Sequence, residues 1–536
     1  MTGPAIDLRT RLRGGRPLLA GAAVLASSAA LIPLVYLIVR AGERGWGHAL
    51  EVVRSGRSAE LLVNTVVLVV LVTATSVVIG VALAWLTVRT DLPGAPALGA
   101  LLCVPLAMPS YVLGYLWLAD FPGVLGLPGS VIVMTISCYP YVFLPAAAAL
   151  RTVDPGLEEV ARTLGRGSVR AVLGVTLRQI RPAVAAGALL VALYTLSDFG
   201  AVAMLRYDAF TVGIYHSYRA TFDRVPAAVL ACVLVLVAFV VMTAERRARR
   251  GEVARVGSGV ASVPGRLPLG WWLVPALALV GAVLAGGVAA PLVGLVRWVR
   301  AAARVDVAWG PVFEATWTTV GVSAVAALVT ILLALPIGVL AARSRGPVAR
   351  ATEAVAQIGF ALPGITVGLA VVFVGIRLVP DLYQRTPMLV FGYVVLFLPL
   401  AVGVVRSAVD AIPTALEDAS ESLGSGRVRT FLRVVAPLAM PGVLAGASLV
   451  FLSVAKELPA TLLLRPTGTQ TLASAMWSHT EMAAYSQAAP YAAMLVAVAV
   501  IPAAVLGRSF GWGVGGRPGI PTPAATRAPE EEVVAR

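Results

Sequence analysis

The chain has 536 residues, is 59% hydrophobic and only 13% charged, and has a mean hydropathy of +0.88. A soluble domain is roughly half apolar, so this composition excludes one and makes lipid the bulk solvent of the fold. The net charge of +15 does not mark a nucleic-acid partner, because the arginines sit in short loops between apolar runs, where membrane proteins gather cytoplasmic positive charge.

Taken in chain order, Arg9, Arg11, Arg13 and Arg16 precede an apolar run over 18–39. That run exceeds a signal-peptide core and has no small-x-small cleavage site after it. It is expected to remain as a first transmembrane helix with its N-terminus in the cytoplasm. Further runs long enough to span lie near 61–88, 98–119, 130–150, 183–205 and 225–244. A basic stretch with Gly and Pro follows over 246–266. Runs near 271–297, 315–342, 354–379, 388–409, 442–464 and 487–507 complete the set. The runs lack the alternation of a barrel strand, which leaves helices. The expected fold is therefore an all-α membrane protein of twelve transmembrane helices in two six-helix sets.

The expected domains are a cytoplasmic N-terminus (1–17), a first half (18–244), a cytoplasmic linker (245–270), a second half (271–507) and a disordered cytoplasmic tail (508–536). This orientation puts 89–97, 151–182, 343–350 and 410–441 on the cytoplasmic side as well. The linker then holds Arg246, Arg247, Arg249, Arg250, Arg255 and Arg266, as the positive-inside rule asks. Some arginines in 206–224 and 297–304 fall outside. Cys103, Cys138 and Cys232 lie within apolar runs and read as small buried hydrophobes, since no CxxC pair or disulfide framework can be written.

The two halves repeat. Leu157, Glu158, Leu164, Gly165, Gly167, Val169, Arg170, Pro182 and Gly187 recur 259 residues later as Leu416, Glu417, Leu423, Gly424, Gly426, Val428, Arg429, Pro441 and Gly446. Upstream, LAMPSYVLG (106–114) matches FALPGITVG (360–368) at an offset of 254. Nine gapless matches at one spacing point to duplication. Six spans per copy make the repeats parallel and favour a pseudo-two-fold pore.

Each repeated segment interrupts the apolar pattern with a polar helical one. Asp154-Pro155 supplies an N-cap and a first helical position. Glu158 and Glu159 fall in the first turn, and Gly165 stands where the helix should stop. In the second copy Pro413 starts the helix, Glu417 and Asp418 come early, Gly424 ends it, and a further helix runs to Pro437 and Pro441. One copy alone would read as an interfacial linker. Two copies between the fourth and fifth spans of each half favour a docking element.

LEDASESLGSGRVRTFLRVVAPLAMPG (416–442) resembles the EAA signature of inner-membrane permeases of binding-protein-dependent ABC importers, with Glu417-Asp418-Ala419, Gly424 and Pro437-Leu438 in its pattern. The first copy departs further, since Glu158-Glu159-Val160 precedes Gly165 and Arg178 stands where the second has Pro437. The resemblance implies cytoplasmic coupling helices that insert into a groove on an ATPase subunit, present in two copies. It also implies an extracytoplasmic substrate-binding protein. Glu158, Glu159, Gly165, Glu417, Asp418 and Gly424 are then the coupling residues. Independently, the only lysine, Lys456, is followed by Glu457, so no GxxxxGK[ST] nucleotide loop can be written. No enzymatic activity and no cofactor are expected of the chain itself.

After each signature the fifth span ends in ionisable residues. Ser197-Asp198 aligns with Lys456-Glu457 at the same offset, and Arg206 with Arg465. Such groups within a membrane are costly and by default mark a pathway. An internal Lys456–Glu457 pair that only fixes packing is the competing reading. LSDFG and KELPATLLLRPTGTQTLA resemble the ferric-iron importer permeases, which carry both halves in one chain. Thiamine importer permeases share that layout with less similar segments. Ferric iron is thus implied as substrate. Tyr207, Asp208, Tyr215, His216 and Tyr218 cluster in one outside segment, and oxygen donors suit a hard cation. A docking surface for the binding protein is the favoured reading, and no metal ligand is assigned. His48 and His479 receive no role. A proton-driven secondary carrier would need no ATPase, but few intramembrane carboxylates are available for its relay. No catalytic constellation supports a membrane enzyme.

Overall fold

The fold is that of a computed structural model, which describes residues 16–153, 172–220, 224–248, 266–305 and 307–509, with isolated positions 156, 160, 163 and 164. The segments expected as N-terminal arm, linker and tail lie wholly or largely outside the described residues. So do Glu158, Glu159 and Gly165. Among the described residues the chain is all-helical apart from one isolated bridge, Thr90 to Leu267.

Nine of the described helices are long and apolar enough to cross a membrane. A tenth is added if Ala95–Ala107 and Ser110–Asp120, bent by 92° to each other, form one crossing. The expected span at 98–119 is therefore not a straight rod. Pro109 supplies no N–H, and the residue before a proline is pushed out of the α region. Met108 accordingly has φ −87° and ψ 130°, and the chain restarts at Ser110. The expected span at 354–379 breaks the same way, with Leu362 at φ −96° and ψ 111°, ahead of Pro363 and the short apolar helix Gly364–Leu378.

The repeat seen in the residues recurs in the backbone. A π-helical turn occupies Val172–Thr176 and again Phe431–Val435. The fifth span of each half stops at Ser197-Asp198 or at Lys456-Glu457 and gives way to a short helix, Gly200–Met204 in one and Pro459–Leu464 in the other. In the second half the prolines do not end the further helix expected after Gly424. Pro437 and Pro441 lie within Ala436–Ala455, which continues directly from the π turn. The wider turn precedes the proline, which has no N–H to give the ladder.

The halves are interlocked by their first helices. Ala23, Ala26 and Ala30 of Arg16–Ala41 pack in one core with Ala326, Ile331 and Val371 of the second half. Conversely, Ala276 and Val280, from the first helix of the second half, pack with Leu83, Leu102 and Tyr139 of the first. The Leu267 N–H donates to Arg89 O at 2.8 Å, and Leu269 N–H to Asp91 Oδ1 at 2.9 Å. Asp120 accepts from Arg297 and from Trp298 Nε1. The largest core runs through both halves and holds Tyr115, Phe199, Phe210 and Trp477.

Candidate functional site

The two helix breaks of each half meet at the centre of the bundle. Non-helical backbone is tolerated at membrane depth where it is buried in protein or lines a cavity. Here it does the latter. A cavity of about 380 Å³ is bordered by Pro109 and Ser110, by Gly364, and by the ends of both fifth spans. All four residues expected on the pathway, Ser197, Asp198, Lys456 and Glu457, face it.

Asp198 and Glu457 have matched settings. Asp198 Oδ1 accepts the Ala201 N–H at 3.1 Å and the Val202 N–H at 3.4 Å, and so starts its short helix. Glu457 Oε1 accepts the Ala460 N–H at 3.0 Å in the same role. Each carboxylate also lies against the start of a broken-span helix. Ser110 Oγ donates to Asp198 Oδ2. At the position equivalent to Ser110 the second half has Gly364, where an added Cβ would stand 2.5 Å from Glu457 Oε1. The longer glutamate thus fills the space that the serine side chain takes in the first half. Helix N-termini carry partial positive charge and favour carboxylates there.

Lys456 is not paired with its neighbour. Its Nζ donates to Leu106 O of the other half at 3.4 Å. No ion pair joins it to Glu457 among the described residues. The internal-pair reading of Lys456 and Glu457 therefore does not describe this geometry.

A second, smaller cavity of about 190 Å³ lies towards the end of the bundle away from Thr414–Ser422. Arg206, His216, Trp477 and Glu481 line it. Phe199 borders both cavities and is 1% exposed. Its ring lies 4.9 Å from that of Tyr215 and 5.2 Å from that of Trp477, from the other half. The tyrosines grouped in the sequence do not converge. Tyr207 donates to Asn64 O at 2.9 Å, Asp208 pairs with Arg57 at 3.1 Å, Tyr215 accepts from Arg219 at 2.9 Å, and His216 is exposed. Among the described residues no group of three His, Cys, Asp or Glu is placed to hold a metal. His48 pairs with Glu51 at 3.5 Å, and the His479 ring stacks on Tyr491.

The polar segment forms as its residues demand. Thr414–Ser422 follows Pro413, and Gly424 takes φ +85°. The Ser425 N–H donates to Ser420 O at 3.1 Å and the Gly424 N–H to Glu421 O at 3.0 Å. That pair of bonds is a Schellman ending, which needs a left-handed residue at the glycine position. Leu423 and Val428 are left 88% and 73% exposed. Glu417 faces inward, accepting from Arg343 Nε at 2.8 Å and Nη2 at 2.7 Å, while Nη2 also reaches Ile412 O at 3.0 Å. Glu417 thus ties the segment to the end of Trp309–Arg343. Arg89 ends the equivalent helix of the first half, Gly56–Arg89.

A family model for the binding-protein-dependent transport system inner membrane component matches residues 76–251 and 334–510. The chain belongs to this family. The permease thus contains two copies of the family's domain. It is a multi-pass inner-membrane protein and is not itself catalytic. The family's description implies a binding protein and an ATPase as partners. Over 487 residues, 89% of the permease and 95% of the relative, it is 31% identical to the Fe(3+)-transport system permease protein FbpB 2 of Haemophilus influenzae. It is 23% identical to the ferric transport system permease protein FbpB of Actinobacillus pleuropneumoniae, over 72% of this chain and 58% of that one. It is 32% identical to the molybdate/tungstate transport system permease protein WtpB of Thermococcus kodakarensis, over 30% of this chain and 68% of that one.

Sequence reasoning missed the two breaks at Met108-Pro109 and Leu362-Pro363. Their signal was present as a proline at matching places in LAMPS and FALPG. It also missed Phe199, which stands next to a residue it had singled out.

Proposed function

We propose that the permease passes ferric iron from an extracytoplasmic binding protein to the cytoplasm, driven by ATP hydrolysis on two copies of a separate subunit. One observation carries the choice of a cation. Matched carboxylates, Asp198 and Glu457, face one central cavity between the halves. Hard oxygen donors suit a hard trivalent cation. An oxyanion such as molybdate would meet two carboxylates at close range. The likeness to FbpB 2 along nearly the whole chain supports the same choice. Thiamine or another small solute is the alternative.

In this reading the chain crosses the membrane twelve times, six per half over 18–244 and 271–507, with both termini, the 245–270 linker and the 508–536 tail cytoplasmic. Each broken pair counts as one crossing, and Tyr485–Ser509 is the last. Glu158, Glu159, Gly165, Glu417, Asp418 and Gly424 belong to the coupling helices. The exposed Leu423 and Val428 meet the ATPase, while Glu417 transmits the motion to Trp309–Arg343. Ser197, Asp198, Lys456 and Glu457 line the route. The smaller cavity receives the cargo, and Phe199 separates it from the central one. Alternating access then requires the halves to rock about the breaks.

The test is uptake of radioactive iron by proteoliposomes holding the permease, its ATPase and its binding protein. D198N and E457Q should each lower ferric uptake by about tenfold or more, with complex assembly intact. Unchanged ferric uptake in both variants, or uptake of molybdate in place of iron, would overturn the reading.

A further inference from the structure

The repeat exposes one asymmetry in the pathway. Where the first half has Ser197, the second has Lys456. Lys456 caps the C-terminal end of Ala436–Ala455, an end whose free carbonyls favour a cation. Its Nζ reaches Leu106 O, in the last helical turn before the Met108-Pro109 break of the other half, at 3.4 Å. An ammonium has three donors, and this long bond occupies one. Glu457 Oε1 accepts from the Ala460 N–H, and the two Asp198 oxygens accept from Ser110 Oγ and from the Ala201 and Val202 N–H groups. The cavity therefore holds two carboxylates and one ammonium without an ion pair between them. A lysine kept only for packing would be expected to find a carboxylate, because an unpaired ammonium away from water is costly.

We infer that Lys456 is a release-setting residue: a tethered positive charge that offsets Asp198 and Glu457 and keeps a bound cation from being trapped. This rests on the cation reading proposed above. Two carboxylates in a low-dielectric cavity attract a trivalent ion strongly, and the ammonium subtracts from that attraction. A pathway must bind well enough to admit its ion and weakly enough to let it leave. Removing the charge should then tighten binding and slow transport, two changes that a packing defect does not produce together.

The experiment uses the purified full-length chain and citrate-buffered radioactive Fe³⁺ in equilibrium dialysis, with uptake by the reconstituted complex measured in parallel. K456M and K456Q should each bind Fe³⁺ roughly tenfold more tightly and transport it about tenfold more slowly. K456R should keep both values close to those of the unsubstituted chain. The inference about Lys456 alone is overturned if D198N abolishes Fe³⁺ binding but K456M and K456Q bind no tighter than the unsubstituted chain. It is likewise overturned if K456R loses binding together with them, which would make Lys456 a packing residue. Absence of any Asp198-dependent Fe³⁺ binding in the unsubstituted chain would overturn the ferric reading and this inference together.

Discussion

The matched carboxylates make a swap experiment possible inside one chain. The first half uses a short acid with a serine (Asp198, Ser110) and the second a long acid with a glycine (Glu457, Gly364). Replacing Gly364 by Ser puts a Cβ 2.5 Å from Glu457 Oε1 and 3.0 Å from Pro459 Cγ, where ordinary contact begins at 3.4 Å. Either the break opens or Glu457 gives up the Ala460 N–H. Overpacking of this kind costs about 1–3 kcal/mol. Loss of a charged hydrogen bond costs about 1.5–3 kcal/mol. Since only one of the two need be suffered, G364S should cost about 1–3 kcal/mol, or roughly one to two orders of magnitude in an equilibrium. Shortening the acid should repair it, because G364S/E457D rebuilds the Ser110–Asp198 arrangement, and an aspartate reaches the N–H three residues on at position 198. The double variant should recover at least about 1 kcal/mol relative to additivity. Thermal denaturation of the purified permease and iron uptake by the reconstituted complex are the readouts. If G364S/E457D is no better than G364S in both, the complementarity between the two positions is not real.

The Arg343–Glu417 pair should behave as a joint: E417R alone should cut ATPase-driven uptake by about tenfold or more, and R343E/E417R should restore part of it. Rescue absent in a complex that still assembles would show that Glu417 acts on the partner instead. F199A should open the barrier between the two cavities, giving iron leakage into proteoliposomes without ATP. A tight, inactive F199A complex would place the barrier elsewhere.

The outline of the fold was legible because lipid imposes a simple rule on composition, and because duplication gave every important segment an internal control. Glu417, Gly424, Asp198 and Glu457 were all found through the 259-residue offset, and each occupies a definite structural position. The breaks were less legible. Proline is tolerated within membrane helices, as Pro140 and Pro145 within Gly126–Arg151 show, so Pro109 and Pro363 alone did not announce a stop. Only the backbone shows that the preceding residue leaves the helical region. The tyrosine cluster failed for a geometric reason. On the helix Phe210–Ala220 Tyr215 is buried while His216 is exposed, and Tyr207 and Asp208 precede that helix and are engaged by Asn64 and Arg57. Lys456 and Glu457 likewise diverge although they adjoin in sequence, because both lie in the break between Ala436–Ala455 and Pro459–Leu464.

The unequal halves have a consequence for charge counting. In an assembly of two identical chains around a two-fold axis, every side chain on the pathway occurs an even number of times. Two acids could then be matched by two lysines or by none. The fused chain escapes this parity, since Ser197 and Lys456 hold equivalent places. It can set one ammonium against two carboxylates, and so tune the central cavity in odd steps of charge that a symmetric dimer cannot reach.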